Sequence, residues 1–186
     1  ELPQAWSRAR GLVRAGDPTA GAALLLLALR GEPADHADLI AAVEHEPLRG
    51  AALWALGFLG TVSAVDAALP WLEDEAHARV AGETLSAVTG LDIEDAKLGR
   101  DGAADEAIEH RAEDDLPLPD PMGVLLWWRD NRGRFVAGQR LIAGAPRDAG
   151  GLRSALHAGP MRRRSAHLLA LQLLSPTLRR FQLEPL

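Results

Sequence analysis

The stretch RGAALWALGFLGTVSAVDAALPWLEDEAHARVAGETLSAVTG, Arg49–Gly90, decides the fold. In its first part Ala52, Leu53, Leu56 and Leu59 recur at spacings of three and four, which lines one face of a helix over Arg49–Leu59. Gly60 follows as a C-terminal stop, because glycine enters the left-handed conformation without a Cβ clash. Ser63 is the expected cap of the next helix, with Val65, Ala68, Leu69 and Leu72 facing inward. Pro70 interrupts that run, and its missing N–H predicts a kink or a fresh start there. A third helix is expected over Glu75–Val88, stopped by Gly90. Short helices joined by tight turns spell helical hairpins.

The same grammar extends outward. On the N-terminal side Asp17-Pro18 reads as a cap followed by a first-turn proline, leading into Ala20–Leu29 and ending at Gly31. That run is apolar nearly all round, so it is expected in the middle of packed helices. Terminal units of a stacked array need a polar outer face, so Leu24–Leu27 calls for cover by more protein or a second subunit. The chain opens on Glu1 rather than Met, and a preceding segment is expected. Asp35 or Asp38 starts the next helix, with Leu39, Ile40 and Val43 inside and Pro47 closing it.

On the C-terminal side residues 91–119 are acidic and poor in large apolar residues. Leu91, Ile93 and Leu98 are expected to pack as a short turn, and Asp101–Asp115 to form an exposed acidic loop or weak surface helix. Asp120-Pro121 repeats the start signal, and Val124–Trp128 supplies an apolar face. Phe135–Ala145, with Gly138 and Gly144 inside, reads as an irregular insertion. Leu152–His157 and Pro160–Leu174 form a last helix pair, ended by Pro176.

Composition agrees with an all-α chain. Of 186 residues 47% are hydrophobic, chiefly Ala and Leu, with three Phe and no Tyr, a mix that favours helix over sheet. The absence of Cys removes disulfides, thiolate metal sites and a Cys nucleophile, and fits a reducing cytoplasm. The longest apolar run, Ala22–Leu29, is far too short to span a bilayer, so no membrane partner is expected. Charge is unevenly placed: residues 1–120 carry nine basic and 23 acidic side chains, residues 121–186 eleven and three. Such polarity suits two faces that meet within an assembly, or a basic end for an anionic partner.

An internal repeat sharpens the picture. Arg49, Arg79 and Arg163 each lead a helix with a small residue three positions on, namely Ala52, Gly82 and Ala166. Each is followed at six by Ala55, Leu85 or Leu169. The small residue lets a neighbouring helix approach closely, and the next enters the shared core. A cation is not favoured by the dipole at a helix start, so these arginines are expected to bridge to a carboxylate or carbonyl of the adjacent unit.

On these features the stretch Arg49–Gly90, including Ala-Leu-Gly at 55–57, resembles HEAT repeats over about a quarter of the chain. The wider layout resembles an uncharacterised proteobacterial family with HEAT repeats, through ETLSAVTGLDI at 83–93, WWRDNRGRFVAGQRL at 127–141 and GPMRRRSAHLLAL at 159–171. The resemblance implies a HEAT-like α-α superhelix (an armadillo-like α-solenoid) of roughly four hairpins, and it implies no activity. Residues 1–186 then form one helical-repeat domain of a longer chain: a HEAT-like core at 17–90, an acidic loop at 91–119 and C-terminal helices at 120–186.

Chemistry-bearing motifs are scarce. Glu106 and His110 share a helix face, and His45 lies between Glu44 and Glu46, but a closed metal site needs four ligands; a solvated charged face is the preferred reading, and no metal is expected. Ser63, Ser86, Ser154 and Ser165 lack the context of a nucleophile elbow, and no glycine run matches a phosphate loop. No catalytic residue and no cofactor are therefore assigned. The candidate interaction residues are Trp127, Trp128, Arg129, Arg132, Arg134, Arg162, Arg163 and Arg164. Adjacent tryptophans on a helix cannot face one way, so one of Trp127 and Trp128 is expected inside and the other partly outside. The leading functional expectation is a noncatalytic scaffold for another protein, with self-association as a variant. The alternatives are nucleic-acid binding by the Arg-rich half, and an enzyme akin to HEAT-like lyases or glycosylases, which requires a deep pocket with a carboxylate and a Trp.

Overall fold

A computed structural model describes residues 2–100 and 112–174, and these are predominantly helical. The helices are α1 (Leu2–Arg14), α2 (Gly21–Arg30), α3 (His36–Ala41), α4 (Arg49–Leu59), α5 (Val62–Ala68) and α6 (Ala78–Thr89). After the acidic stretch come α7 (Pro121–Asn131), α8 (Ala149–Ala158) and α9 (Met161–Leu174). A two-residue antiparallel ladder, β1 (Leu141–Ile142) with β2 (Ala145–Pro146), lies between α7 and α8. No helix among the described residues is long and apolar enough to cross a membrane.

Most helix ends lie where the sequence signals put them, with three local corrections. Asp17-Pro18 does not cap α2: Asp17 accepts hydrogen bonds from the Thr19 amide and hydroxyl in a preceding turn, and the helix begins at Gly21. Thr61, not Ser63, caps α5, accepting from the Ala64 amide, while Ser63 is exposed. Glu75 lies before α6, in a turn that Asp74 closes by accepting from the Ala76 and His77 amides. Pro70 is the second residue of a short 3-10 helix, Leu69–Leu72, so the chain changes helix type rather than tolerating proline mid-helix.

Helices α2, α4 and α6 pack side by side in one row, and α1, α3 and α5 form a second row against them. Their shared core holds Leu24 and Leu27 of α2, Leu53 and Leu56 of α4, Val65 of α5 and Leu85 of α6, all essentially inaccessible. The apolar α2 is covered from within the chain, by α1 on one side and α9 on another. The last helix pair therefore lies across the first row: α9 packs on α2 and reaches α4 and α6 through its side chains. Helix α7 is tied to α5, where Asp66 accepts from Trp128 Nε1 at 2.9 Å and from Arg132 Nη2 at 2.8 Å.

The three helices of the first row end in glycines at positive φ: Gly31 (66°), Gly60 (72°) and Gly90 (78°). Each such end leaves carbonyls without intrahelical partners. The segment 140–147 satisfies them. Arg140 donates to the carbonyls of Ala28, Arg30, Phe58 and Leu59, and Arg147 to that of Leu29. The backbone amides of Leu141, Ala143 and Gly144 donate to the carbonyls of Gly60, Ala87 and Val88. Contact is close enough that a Cβ on Gly60 would lie 2.3 Å from the Leu141 carbonyl oxygen. Burial pushes the Arg140 guanidinium down to about 10, and burial with repulsion from Arg140 pushes Arg147 to about 9, so both stay cationic at neutral pH. The negative ends of α2 and α4 supply the opposing charge. Phe135–Ala145, irregular in sequence, thus includes part of a clamp on three helix ends.

Replacing Arg140 by Met should strand buried carbonyls of two helices and cost about 3 kcal/mol or more, since bonds to charged groups contribute roughly 1.5–3 kcal/mol each. Arg140→Lys should recover only a small part, because one ammonium cannot reach four carbonyls at once. Urea unfolding of the three proteins checks this; a loss below about 1 kcal/mol for Arg140→Met would contradict the clamp.

Candidate functional site

The side chains of α9 meet those of α4 and α6 at a buried charge cluster. Glu83 of α6 is 6% exposed and Arg163 of α9 is 2% exposed. Arg163 Nε donates to one Glu83 oxygen at 2.7 Å, and Arg162 Nη2 to the other at 2.8 Å. The Arg163 guanidinium lies 4.2 Å from the Trp54 ring centroid and 4.6 Å from that of Phe58. Its Nη1 and Nη2 have no hydrogen-bond acceptor, and the aromatic faces stand in for one. A Cβ at position 57 would sit 2.8 Å from Nη2, so the glycine of the Ala-Leu-Gly motif is what admits the guanidinium. His167, one turn further along α9, meets Phe58 edge to face at 5.5 Å.

These contacts set the charges. Burial would raise the Glu83 carboxyl, but the Arg162 hydrogen bond and the charge and hydrogen bond of Arg163 outweigh it, holding it below the ordinary 4.5. Burial pushes Arg163 below its ordinary value, and Glu83 opposes that shift. Burial, with repulsion from Arg163 and Arg147, lowers His167 to about 4, so its ring is neutral at pH 7. A carboxylate with both oxygens held by guanidiniums is a poor proton shuttle near neutral pH.

Above this cluster opens a cleft of about 890 Å³. Its walls are the end of α6, the turn Leu91–Glu94, the 142–146 hairpin and one face of α8, with Arg163 and His167 at its base. Ser86 and Ser154 also line it, and neither is hydrogen-bonded to His167 or Glu83 among the described residues. A second compartment of about 460 Å³ shares Gly90, Leu91 and Asp92 with the first and is walled by Trp127, Arg134 and Phe135.

The sequence candidates separate into different environments. Trp128 is 3% exposed and stacks on Phe135 with ring centroids 5.7 Å apart, while Trp127 is half-buried in the second compartment. Arg129 pairs with Asp130, Arg132 with Asp66, and Arg134 donates to Asn131 Oδ1. Arg162 and Arg163 converge on Glu83, whereas Arg164 turns back to the carbonyls of His157 and Gly159. The other two repeat arginines are also bound: Arg49 donates to the Val43 carbonyl and stacks over Trp71 at 4.0 Å, and Arg79 donates to the Leu116 carbonyl. Sequence reasoning missed Glu83 and His167; the available signal was a carboxylate and a histidine on helix faces otherwise filled by core residues. Glu106 and His110 lie outside the described residues, and no group of three metal-ligating side chains occurs among the described ones.

Two outcomes follow. Glu83→Gln should destabilise by about 3–5 kcal/mol, because it leaves Arg163 buried and unpaired, and Arg163→Met by a similar amount. The double variant Glu83→Leu/Arg163→Met should lose less than either single one, and additive losses in chemical unfolding would contradict a coupled pair. For pH, the folded value of His167 lies below the unfolded 6.5, so its contribution is complete above pH 6.5 and is lost as pH falls toward about 4. Glu83, also depressed, adds a loss below pH 4.5. His167→Gln should flatten the stability profile between pH 6.5 and 4 and leave the steeper acid limb.

Comparison of the chain with protein families, curated proteins and solved structures gives no match.

Proposed function

We propose that this chain is a noncatalytic interaction scaffold built on HEAT-like helical hairpins, and that it receives a partner protein in the cleft between α6, the 142–146 hairpin and α8. The observation that carries this reading is the cleft itself: about 890 Å³, walled largely by apolar and small residues, on a two-row helical stack. Three hairpins, α1–α2, α3–α4 and α5–α6, repeat one plan: an outer helix, an inner helix and a glycine stop at positive φ. That regularity supports an α-solenoid. The C-terminal pair then closes over the stack instead of lengthening it. A cytoplasmic location belongs to the same proposal and rests on the cysteine-free composition.

The alternatives find less support. Nucleic-acid binding needs arginines free for phosphates, and the candidate arginines are engaged by Glu83, Asp66, Asp130, Asn131 or backbone carbonyls. A lyase or glycosylase reading gains a carboxylate near a Trp, yet Glu83 is committed to two guanidiniums.

Affinity capture from the native host with the wild-type protein and with Ser154→Trp tests the reading. Ser154 is exposed and lines the cleft, so a Trp there fills the cleft without disturbing the core. A partner recovered by the wild type and lost with Ser154→Trp is expected. Equal recovery by both would move the interaction elsewhere, and retention of duplex DNA in a gel shift, weakening steeply with salt, would favour the nucleic-acid reading.

A further inference from the structure

The two compartments adjoin, and Gly90, Leu91 and Asp92 line both. Their volumes, about 890 and 460 Å³, exceed what one side chain fills. An extended segment, advancing about 3.3 Å per residue with side chains on alternate sides, suits such a groove. Apolar walls stand in both parts: Ile93, Ile142 and Ala155 in the first, Trp127 and Phe135 in the second.

The charge of the groove is one-sided. Glu83, Asp92, Glu94, Asp95 and Asp148 line it against Arg163 and Arg134. Both guanidiniums are committed, Arg163 to Glu83 and Arg134 to Asn131 Oδ1. Among the carboxylates Glu83 is likewise committed, and Asp148 caps α8. Asp92 uses one oxygen to hold its own turn, accepting from the Glu94 and Asp95 amides. The Glu94 and Asp95 side chains have no hydrogen-bond or ion-pair partner among the described residues, and both are exposed. One rim therefore carries three carboxylates that form no ion pair among the described residues, with the single cation Lys97 following in the same turn. The C-terminal end of α6 opens on the same place and adds its negative dipole. Independently, His167 lines the base of the first compartment, is 4% exposed, and its Nδ1 has no partner. A buried polar atom left without a bond is costly, which marks the base of this compartment as unsatisfied.

We propose that the groove takes an extended segment of another protein in which basic side chains alternate with apolar ones. The basic side chains sit on the Asp92–Asp95 rim and the apolar ones enter the Ile93–Ile142 and Trp127–Phe135 walls. This rests on the scaffold reading and specifies its partner. A polyanion is repelled by the same rim.

The test uses the whole chain and labelled peptides of about ten residues, in which Leu alternates with Lys, with Glu or with Ser, followed by fluorescence anisotropy at about 0.15 M salt so that only short-range attraction survives. The Lys peptide should bind at least about tenfold more tightly than the Glu and Ser peptides, a difference of about 1.4 kcal/mol. Glu94→Lys/Asp95→Lys should weaken it by about tenfold or more, and Ser154→Trp should abolish it. Glu73→Lys/Glu75→Lys, an equal charge change in exposed residues before the opposite end of α6, should leave affinity within about twofold. Circular dichroism melts establish that each variant is folded. Equal weakening by the two charge reversals would overturn the proposal, because attraction would then be diffuse. Equal binding of Ser and Lys peptides, both lost with Ser154→Trp, would overturn the basic preference and leave the scaffold reading standing. Binding of no peptide would also overturn the proposal, while the capture experiment separately decides the scaffold reading.

Discussion

Three helices laid side by side present their terminal carbonyls at one end of the molecule, and the rest of the structure is arranged around satisfying them. Helices shorter than about four turns are marginal alone, so α2, α4 and α6 rely on tertiary contact. Each is stopped by a glycine whose amide closes one bond, from Gly31 to Leu27, Gly60 to Leu56 and Gly90 to Ser86. The next carbonyls are met by a segment 56 to 118 residues away in sequence, through two guanidiniums and three backbone amides. An arginine suits this task because its planar fork donates in several directions at once. The conformation that places these donors includes Ala143 at a φ of 48°, held by the tight fit against Gly90.

The clamp also decides where the site can be. By crossing the ends of α2, α4 and α6, the hairpin brings α8 and α9 back over the first helix row. Arg163 then penetrates to Gly57 and the Trp54–Phe58 shelf, and Glu83 meets it from α6. Such a buried pair contributes little net stability once desolvation is counted, but it is costly to leave half-made. It joins α9 to α6 one turn before His167, at the base of the cleft. The cleft lies between the clamp and the C-terminal helix pair.

Legibility in the sequence followed the range of the forces involved. Local signals were clear: the bounds of α4, the glycine stops, and the inside–outside division of Trp128 and Trp127 all follow from spacing and backbone chemistry. Two caps were misplaced because neighbouring residues compete for the same role. Thr61 precedes Ser63 and takes the Ala64 amide first, and Asp17 satisfies itself within a turn. The clamp was illegible for a stronger reason. Its acceptors are backbone carbonyls, which no residue type marks, and its donors look like a glycine-broken loop with two scattered arginines. Glu83 was hidden likewise, since a carboxylate in an amphipathic helix ordinarily faces water. The repeated arginines were read for their spacing, while their partners, a carbonyl, a ring or a buried carboxylate, appear only once distant helices are in place.

The helix row depends on a 140–147 segment held as firmly as the helices it caps. Native-state hydrogen exchange of the Leu141, Ala143 and Gly144 amides tests that directly, because these donate to Gly60, Ala87 and Val88. They should exchange only through global unfolding, with the same opening free energy as the core amides of α4. Exchange of these three at a cost lower by about 2 kcal/mol or more, while α4 stays protected, would contradict the account, for the helix row would then stand without its clamp.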